Sequence, residues 1–263
     1  MKTVIYYFSG TGNSLSAAKT LAGTLGDCEL VPVQSLAGQG EIRPGAERAG
    51  IICPVYFAGL PVMVAKFAAR LDCSQVKYTF AVLTDGGSGS SPALRQLDGI
   101  MKGSHGRGLD GAFSVKMPGN YILMYGSPTG EKQAVILASA GRALEAIAAS
   151  VGRCETRQIP RSMLVGFLHA LLYSRFAAGA HARAKKFSVN DACTSCGTCV
   201  KVCPAGNIEL VDGRPSWDDR CEVCCACIHL CPVRAIQAGS GTKKRPRYHN
   251  PSVSIRELEQ GPR

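Results

Sequence analysis

Val4 to Phe8 is an unbroken apolar run that stops at the polar loop Ser9-Gly10-Thr11-Gly12-Asn13-Ser14. A run without alternation is the pattern of a strand buried on both faces. Beyond the loop, Leu15, Ala18, Leu21, Ala22 and Leu25 recur at helical spacing, so residues 15–25 read as a helix with one apolar side. The alternation continues with strands at 29–33, 49–55, 78–83 and 111–116 and helices over 60–71, 92–101 and 131–149. Pro61 falls in the first turn of its helix, where a missing N–H costs nothing. Five strands with interleaved helices predict an α/β fold, a parallel sheet covered on both faces. Such sheets bind ligands beyond the carboxyl ends of their strands. The glycine-rich polar loops at 9–14, 54–60, 84–91 and 117–121 fall at those ends, which predicts one site built from several loops.

After residue 152 the pattern changes. Residues 153–187 are a basic connector carrying Arg153, Arg157, Arg161, Arg175, Arg183, Lys185 and Lys186 around an apolar middle. Residues 163–180 are apolar enough to raise the question of a membrane span. His169 and Arg175 interrupt them, so they read as a soluble or interfacial helix docked on a neighbouring domain. The plainer reading is a solvated linker helix; the sharper one gives its positive face to an acidic redox partner. No signal peptide is visible, because the run at 4–8 is short and leads into the glycine loop. The expectation is a cytoplasmic protein whose cysteines are thiols or metal ligands rather than disulfides.

Eight of the thirteen cysteines form two runs, Cys193-Cys196-Cys199-Cys203 and Cys221-Cys224-Cys227-Cys231. Both fit C-x2-C-x2-C-x3-C-P, ending at Pro204 and Pro232, and they superpose with an offset of 28 residues and no gap. Three cysteines at x2 intervals wrap a loop around one cubane, and the fourth reaches across to the other cluster. By that rule Cys193, Cys196, Cys199 and Cys231 hold one [4Fe–4S] cluster, and Cys221, Cys224, Cys227 and Cys203 hold a second. Zinc accounts for one C-x2-C pair but poorly for two four-cysteine runs each closed by proline. Cys225 falls outside the register and reads as a bystander; Cys28, Cys53, Cys73 and Cys154 read as small buried thiols.

Taken together, "YFSGTGNS", "PVYFAGLP", the glycine loop at 84–91, "MPGNY", both cysteine runs, "DGRPSW" and the closing "KKRPRYHNP" resemble a flavodoxin-like domain fused to a bacterial-type ferredoxin with two [4Fe–4S] clusters. The resemblance implies a flavodoxin-like five-stranded parallel sheet with helices on both faces, over residues 1–152. It also implies a small α+β ferredoxin-like domain at 188–240, after the connector at 153–187 and before a basic tail at 241–263. It further implies an FMN site. Ser9, Thr11, Asn13 and Ser14 would offer side chains to the phosphate, with Gly10 and Gly12 allowing close backbone approach. Pro54, Val55, Tyr56 and Phe57 would line one side of the isoalloxazine ring, with an aromatic over it. Thr84, Asp85, Gly86, Gly87 and Ser88 would line the other, with Asn120 and Tyr121 nearby. Relatives are similar to "TYGG" where this chain has Thr84-Asp85-Gly86-Gly87, so an aromatic is missing there and a carboxylate disfavours an anionic reduced flavin.

The formal charge of +11 points to nucleic acid, a membrane surface or an acidic protein. Two clusters with their thiolates add about −2 each, and a flavin phosphate adds about −2 more, which brings the loaded protein to about +5. No nucleic-acid-binding motif accompanies the charge, so nucleic acid is not the expected partner. A redox protein or a small-molecule acceptor is, with peripheral membrane contact left open. The glycine loop also fails as a dinucleotide fingerprint, since Leu15 stands where Gly or Ala is wanted, and as a Walker loop, having no Gly-Lys-Ser/Thr. The reading is an electron-transfer protein passing electrons between two [4Fe–4S] clusters and FMN, with no catalytic acid or base. The alternative is an FMN-dependent reductase of a small substrate fed by its own ferredoxin domain, and a redox sensor is a third reading. His105, His169 and His181 read as surface or packing residues.

Overall fold

The computed structural model describes residues 1–87, 89–159 and 173–259. Its centre is a sheet of β1 (Thr3–Tyr7), β2 (Cys28–Pro32), β3 (Arg48–Pro54), β4 (Tyr78–Asp85) and β5 (Gly111–Lys116). All neighbours are parallel and the spatial order is β2-β1-β3-β4-β5. Successive side chains on a strand point to opposite faces, so each apolar run feeds two cores. On one face Ile5, Ile52, Phe80, Val82 and Phe113 pack under α1 (Asn13–Leu25) and α4 (Gly130–Gly152). On the other, Val4, Tyr6, Ile51, Ala81 and Leu83 pack under α2 (Val62–Ala68) and α3 (Ser91–His105). Buried Arg48 closes the C-terminus of α4, donating to the carbonyls of Val151 and Gly152 at 3.3 Å each and to Thr3 Oγ1 at 3.0 Å. By length and composition α4 is long and apolar enough to cross a membrane, with mean hydropathy 1.5. Here Ala140, Leu144, Ile147, Ala148 and Val151 are the residues it buries.

The sequence pattern overextends α2. Leu60 and Pro61 stay outside it: the Leu60 N–H donates to Gln96 Oε1, its carbonyl accepts from the Tyr173 hydroxyl, and Pro61 is extended at the N-cap. The far end stops early because Ile42 and the 70–72 segment bond to one another. The expected helix over 163–180 lies largely outside the described residues; its last part, 173–180, is helical.

The cysteine-rich part is two antiparallel pairs. β6 (Phe187–Val189) joins β9 (Ile236–Ala238), and β7 (Ile208–Val211) joins β8 (Arg214–Trp217). Asp212 and Gly213, both left-handed, make the two-residue turn of the second hairpin. The internal repeat is written into the backbone: Ser195 and Val223, Gly197 and Cys225, and Gly206 and Arg234 are left-handed pairs, each 28 residues apart. Gly197 and Cys225 each precede a one-turn helix, Thr198–Lys201 and Ala226–His229. Cys225 holds the position of Gly197, with a side chain where glycine is the unstrained choice.

Candidate functional site

Each cysteine run contributes to both of two small cavities. One is lined by Cys193, Cys196, Cys199 and Cys231, the other by Cys203, Cys221, Cys224 and Cys227. The fourth cysteine of each run thus stands with the first three of the other, the crossed arrangement the spacing predicts. The two halves treat their crossed sulfurs alike: Asn207 N–H donates to Cys203 Sγ at 3.3 Å and Ala235 N–H to Cys231 Sγ at 3.2 Å. Val223 N–H adds a bond to Cys221 Sγ at 3.3 Å. Burial pushes the thiols of Cys199 and Cys221 up to about 11, and those of Cys224 and Cys227 well above the ordinary range. Four thiols facing one space, with N–H groups aimed at sulfur, fit a thiolate-bound metal cluster, whose positive irons would reverse that penalty.

A third cavity of about 500 Å³ lies at the carboxyl ends of β1, β3, β4 and β5. Of the residues expected there, Ser9, Gly10, Thr11, Asn13, Ser14, Pro54, Val55, Tyr56, Phe57, Thr84, Asp85, Gly86 and Asn120 line it. Gly12 and Gly87 do not. Gly12 turns away under Asn250 and Val253, and Gly87 lies beside the Lys116 side chain. Ser88 lies outside the described residues.

The loop side chains expected to face a phosphate are already engaged within the protein. Ser9 Oγ accepts from the N–H of Gly12 at 3.2 Å and of Leu15 at 3.3 Å. Ser14 and Thr84 hydroxyls share a hydrogen bond of 2.9 Å, and Thr11 Oγ1 accepts from Asn120 Nδ2. Asn13 donates to the Pro118 carbonyl and accepts from Tyr248 and Asn250. What the loop leaves free is three backbone N–H groups. Among the described residues, no acceptor takes the N–H of Thr11, Asn13 or Ser14, although all three residues are buried. Unpaired N–H groups at the start of a long helix fit a phosphate.

The aromatics differ from the expectation in their surroundings. Tyr56 packs edge-on to Phe8 and Phe176, and Phe57 stacks on Phe176 with centroids 4.5 Å apart. Asp85 turns its carboxylate to the Gly87 N–H at 2.6 Å. The sequence reading omits Met124, Tyr125, Phe176, Val223, Cys224 and Cys225 from this cavity, yet all line it. The last three come from the cysteine-rich part, whose main chain rests on the glycine loop: a Cβ on Gly10 would stand 2.8 Å from the Cys224 carbonyl oxygen.

Two further groups tie the parts together. Both carboxylate oxygens of buried Glu222 accept from the Met63 N–H at 3.1 Å, and burial raises the carboxyl above its ordinary range. His229 Nε2–H donates to the Asn120 carbonyl at 2.7 Å, while Nδ1 accepts from the Tyr248 N–H at 3.0 Å. Burial, helped by the nearby Arg247 charge and opposed by the Asn120 bond, keeps the imidazole neutral, with its pKa down to about 4. His181 Nδ1 meets the Cys221 carbonyl at 3.1 Å; His169 lies outside the described residues.

Residues 189–209, which hold the first cysteine run, match the 4Fe-4S binding domain family. No curated protein matches the chain. Among solved structures, an FMN-dependent NADH-azoreductase from Bacillus anthracis is 10% identical, over 58% of this chain and 100% of its own, with a TM-score of 0.38. A flavoprotein from Lactobacillus acidophilus, solved in complex with FMN, is 13% identical over 43% and 92%, with a TM-score of 0.36. A flavodoxin from the domain Archaea is 14% identical over 56% and 99%, with a TM-score of 0.31. The strand order 2-1-3-4-5 is itself that of the flavodoxin-like sheet. The chain joins a flavodoxin-like α/β unit to a segment that matches the 4Fe-4S binding domain family.

Proposed function

We propose that the protein carries electrons between two [4Fe–4S] clusters and FMN and passes them to a redox partner. The observation that carries the reading is a shared wall: Cys224 and Cys225 line both the second thiol cavity and the loop cavity. FMN exchanges one or two electrons and each cluster one, a pairing that joins one-electron to two-electron partners. The protein's own contribution is placement. The N–H groups of Thr11, Asn13 and Ser14 take the phosphate, and Pro54, Val55, Tyr56 and Phe57 wall one side of the ring site, with Thr84, Asp85 and Gly86 on the other. Cys193, Cys196, Cys199 and Cys231 take one cluster, and Cys203, Cys221, Cys224 and Cys227 take the other. The Val223–Cys225 turn keeps water out between the two sites.

Anaerobically purified protein is expected to carry a flavin spectrum and about eight irons per chain. Thr11→Glu is expected to release the flavin and keep the iron; full flavin retention would refute the phosphate loop, and zinc without labile sulfide would refute the clusters. A second reading, a reductase of a small substrate, is favoured by the cavity mouth, where Met124 is 62% and Tyr125 42% exposed. Saturable turnover of one small molecule would establish it over the carrier.

A further inference from the structure

Most of the excess positive charge lies in two segments. Residues 1–152 hold thirteen Lys and Arg against ten Asp and Glu, and residues 188–240 hold four against six. Residues 153–187 hold seven against one, and residues 241–263 six against two. The fold brings the end of the first basic segment to the start of the second. Phe187 on β6 pairs with Ala238 on β9, antiparallel, so Lys185 and Lys186 run out beside Gly239 and the following turn, which leads to Lys243 and Lys244. All four lysines are exposed, and among the described residues none has a salt-bridge partner.

Beside this patch runs a shallow groove lined by Lys185, Phe187, Val189, Val211, Arg214 and Trp217. Val211 is 49% exposed there. Phe187 and Trp217, packed edge to face at 5.8 Å, also line the second thiol cavity, and Pro215 lines both the groove and the first. A single layer of side chains therefore separates the groove from both sets of thiols. The acidic side chains near it are few: Asp191 is paired with Arg214 at 2.9 Å, and Glu209 and Asp212 mark the edge of the β7–β8 hairpin.

We infer that this groove and its lysine rim are the docking surface for an acidic redox protein that exchanges electrons with the cysteine-rich part. The inference rests on the electron-transfer reading above. A small apolar centre with a charged rim is the make-up of a protein interface, and like charge on the rim sets the encounter rate with an oppositely charged partner. A lipid surface or nucleic acid would use the lysines, but neither accounts for their position against the thiol cavities.

The test uses a reduced acidic [2Fe–2S] ferredoxin as probe, mixed anaerobically with the full-length holoprotein. The second-order rate of electron transfer is expected to fall steeply with ionic strength. The variant Lys185→Glu/Lys186→Glu/Lys243→Glu/Lys244→Glu is expected to lower it at least about ten-fold at low salt. Reduction by dithionite should be unchanged, and Lys132→Glu on α4 should leave both rates as they were. Carbodiimide cross-linking gives a readout without electron transfer: the four lysines should join to carboxylates of the probe. An unchanged rate in the quadruple variant, or cross-links confined to other lysines, overturns the inference. So does loss of binding to phosphatidylserine vesicles or duplex DNA in that variant with the ferredoxin rate intact. If the wild-type protein binds no iron yet the cross-links form, the docking surface stands and the electron-transfer reading falls.

Discussion

The flavodoxin-like unit wholly buries Phe8, Phe67, Phe80, Ile5, Leu21, Ile51, Ile52, Leu83 and Leu97, most of them on or against one continuous sheet. In the cysteine-rich part the main buried cluster is Cys199, Cys203, Cys225 and Cys227 with Ala205, Ile208, Ile228 and Ile236, joined by Ile122 from the other unit. A part of about fifty residues cannot bury enough apolar surface to fold on that alone and needs a staple. One unit is held by hydrocarbon and is complete without a ligand. The other holds thiols where hydrocarbon would otherwise be, and bound metal supplies what its core lacks. The contrast teaches where each unit fails first.

The largest effect should follow from removing metal. Chelation under reducing conditions, or Cys221→Ser, is expected to abolish amide-exchange protection in β6–β9 while β1–β5 keep theirs, giving two separate melting transitions. Simultaneous loss of protection in both units would break the comparison. The converse is Phe80→Ala. Phe80 is fully buried and its ring lies over Gly50, where a Cβ would stand 2.2 Å from the ring edge. Truncating it should cost about 3–5 kcal/mol in urea titrations of the sheet, with iron content unchanged. Loss of iron in that variant would mean that the sheet scaffolds the cluster sites.

The legible part of the fold was the part governed by local pattern. Apolar runs marked all five strands, and Gly111–Lys116 appears with the bounds the sequence suggests. The cysteine spacing anticipated the crossed grouping because the rule is geometric and acts within 40 residues of chain. What the sequence hid depends on distant contacts. Tyr248 reaches Asn13 across 235 residues, and no periodicity marks Tyr248 or Asn250 as part of the loop site. Val223 and Phe176 enter the loop cavity only because the second half of the chain folds back on the first. Spacing marks Cys225 only as a bystander, because it compares cysteines with cysteines; the backbone adds that Cys225 holds the left-handed position of Gly197.

That equivalence yields a smaller, sharper test at the junction of the two units. Cys225 is buried with φ 59, a conformation that a side chain adopts at a penalty of about 1–2 kcal/mol. Its counterpart Gly197 carries none. Cys225→Gly should remove that strain and leave the iron count unchanged, since Cys225 stands outside the ligand spacing. It should open a gap between the second thiol cavity and the loop cavity, and slow electron passage from iron to flavin in stopped-flow mixing. An unchanged rate would assign Cys225 to packing alone, and a lost iron would make it a ligand.

The smallest effect belongs to the tail that spans both units. Ser254 and Glu257 form a capping box, with the Glu257 carboxylate accepting from the Ser254 N–H at 2.8 Å, and Lys19 on α1 meets the same carboxylate at 2.5 Å. These partners, the Lys19 ammonium first, hold the Glu257 carboxyl down to about 2 from an ordinary 4.5. A lowered folded-state value stabilises the tail above pH 4.5 and loses that support as pH falls through about 2. Both side chains are about two-fifths exposed, so water screens the pair, and the gain is about 0.5–1 kcal/mol at low salt. Glu257→Gln should therefore loosen exchange protection around Asn250 and Val253 by a few-fold at pH 7 and remove its acid dependence between 4.5 and 2, and salt should mimic the variant. If protection there is as strong in the variant as in wild type, the tail is held by Tyr248 and Asn250 on the glycine loop alone, and its anchorage belongs to the flavodoxin-like unit rather than to its own helix cap.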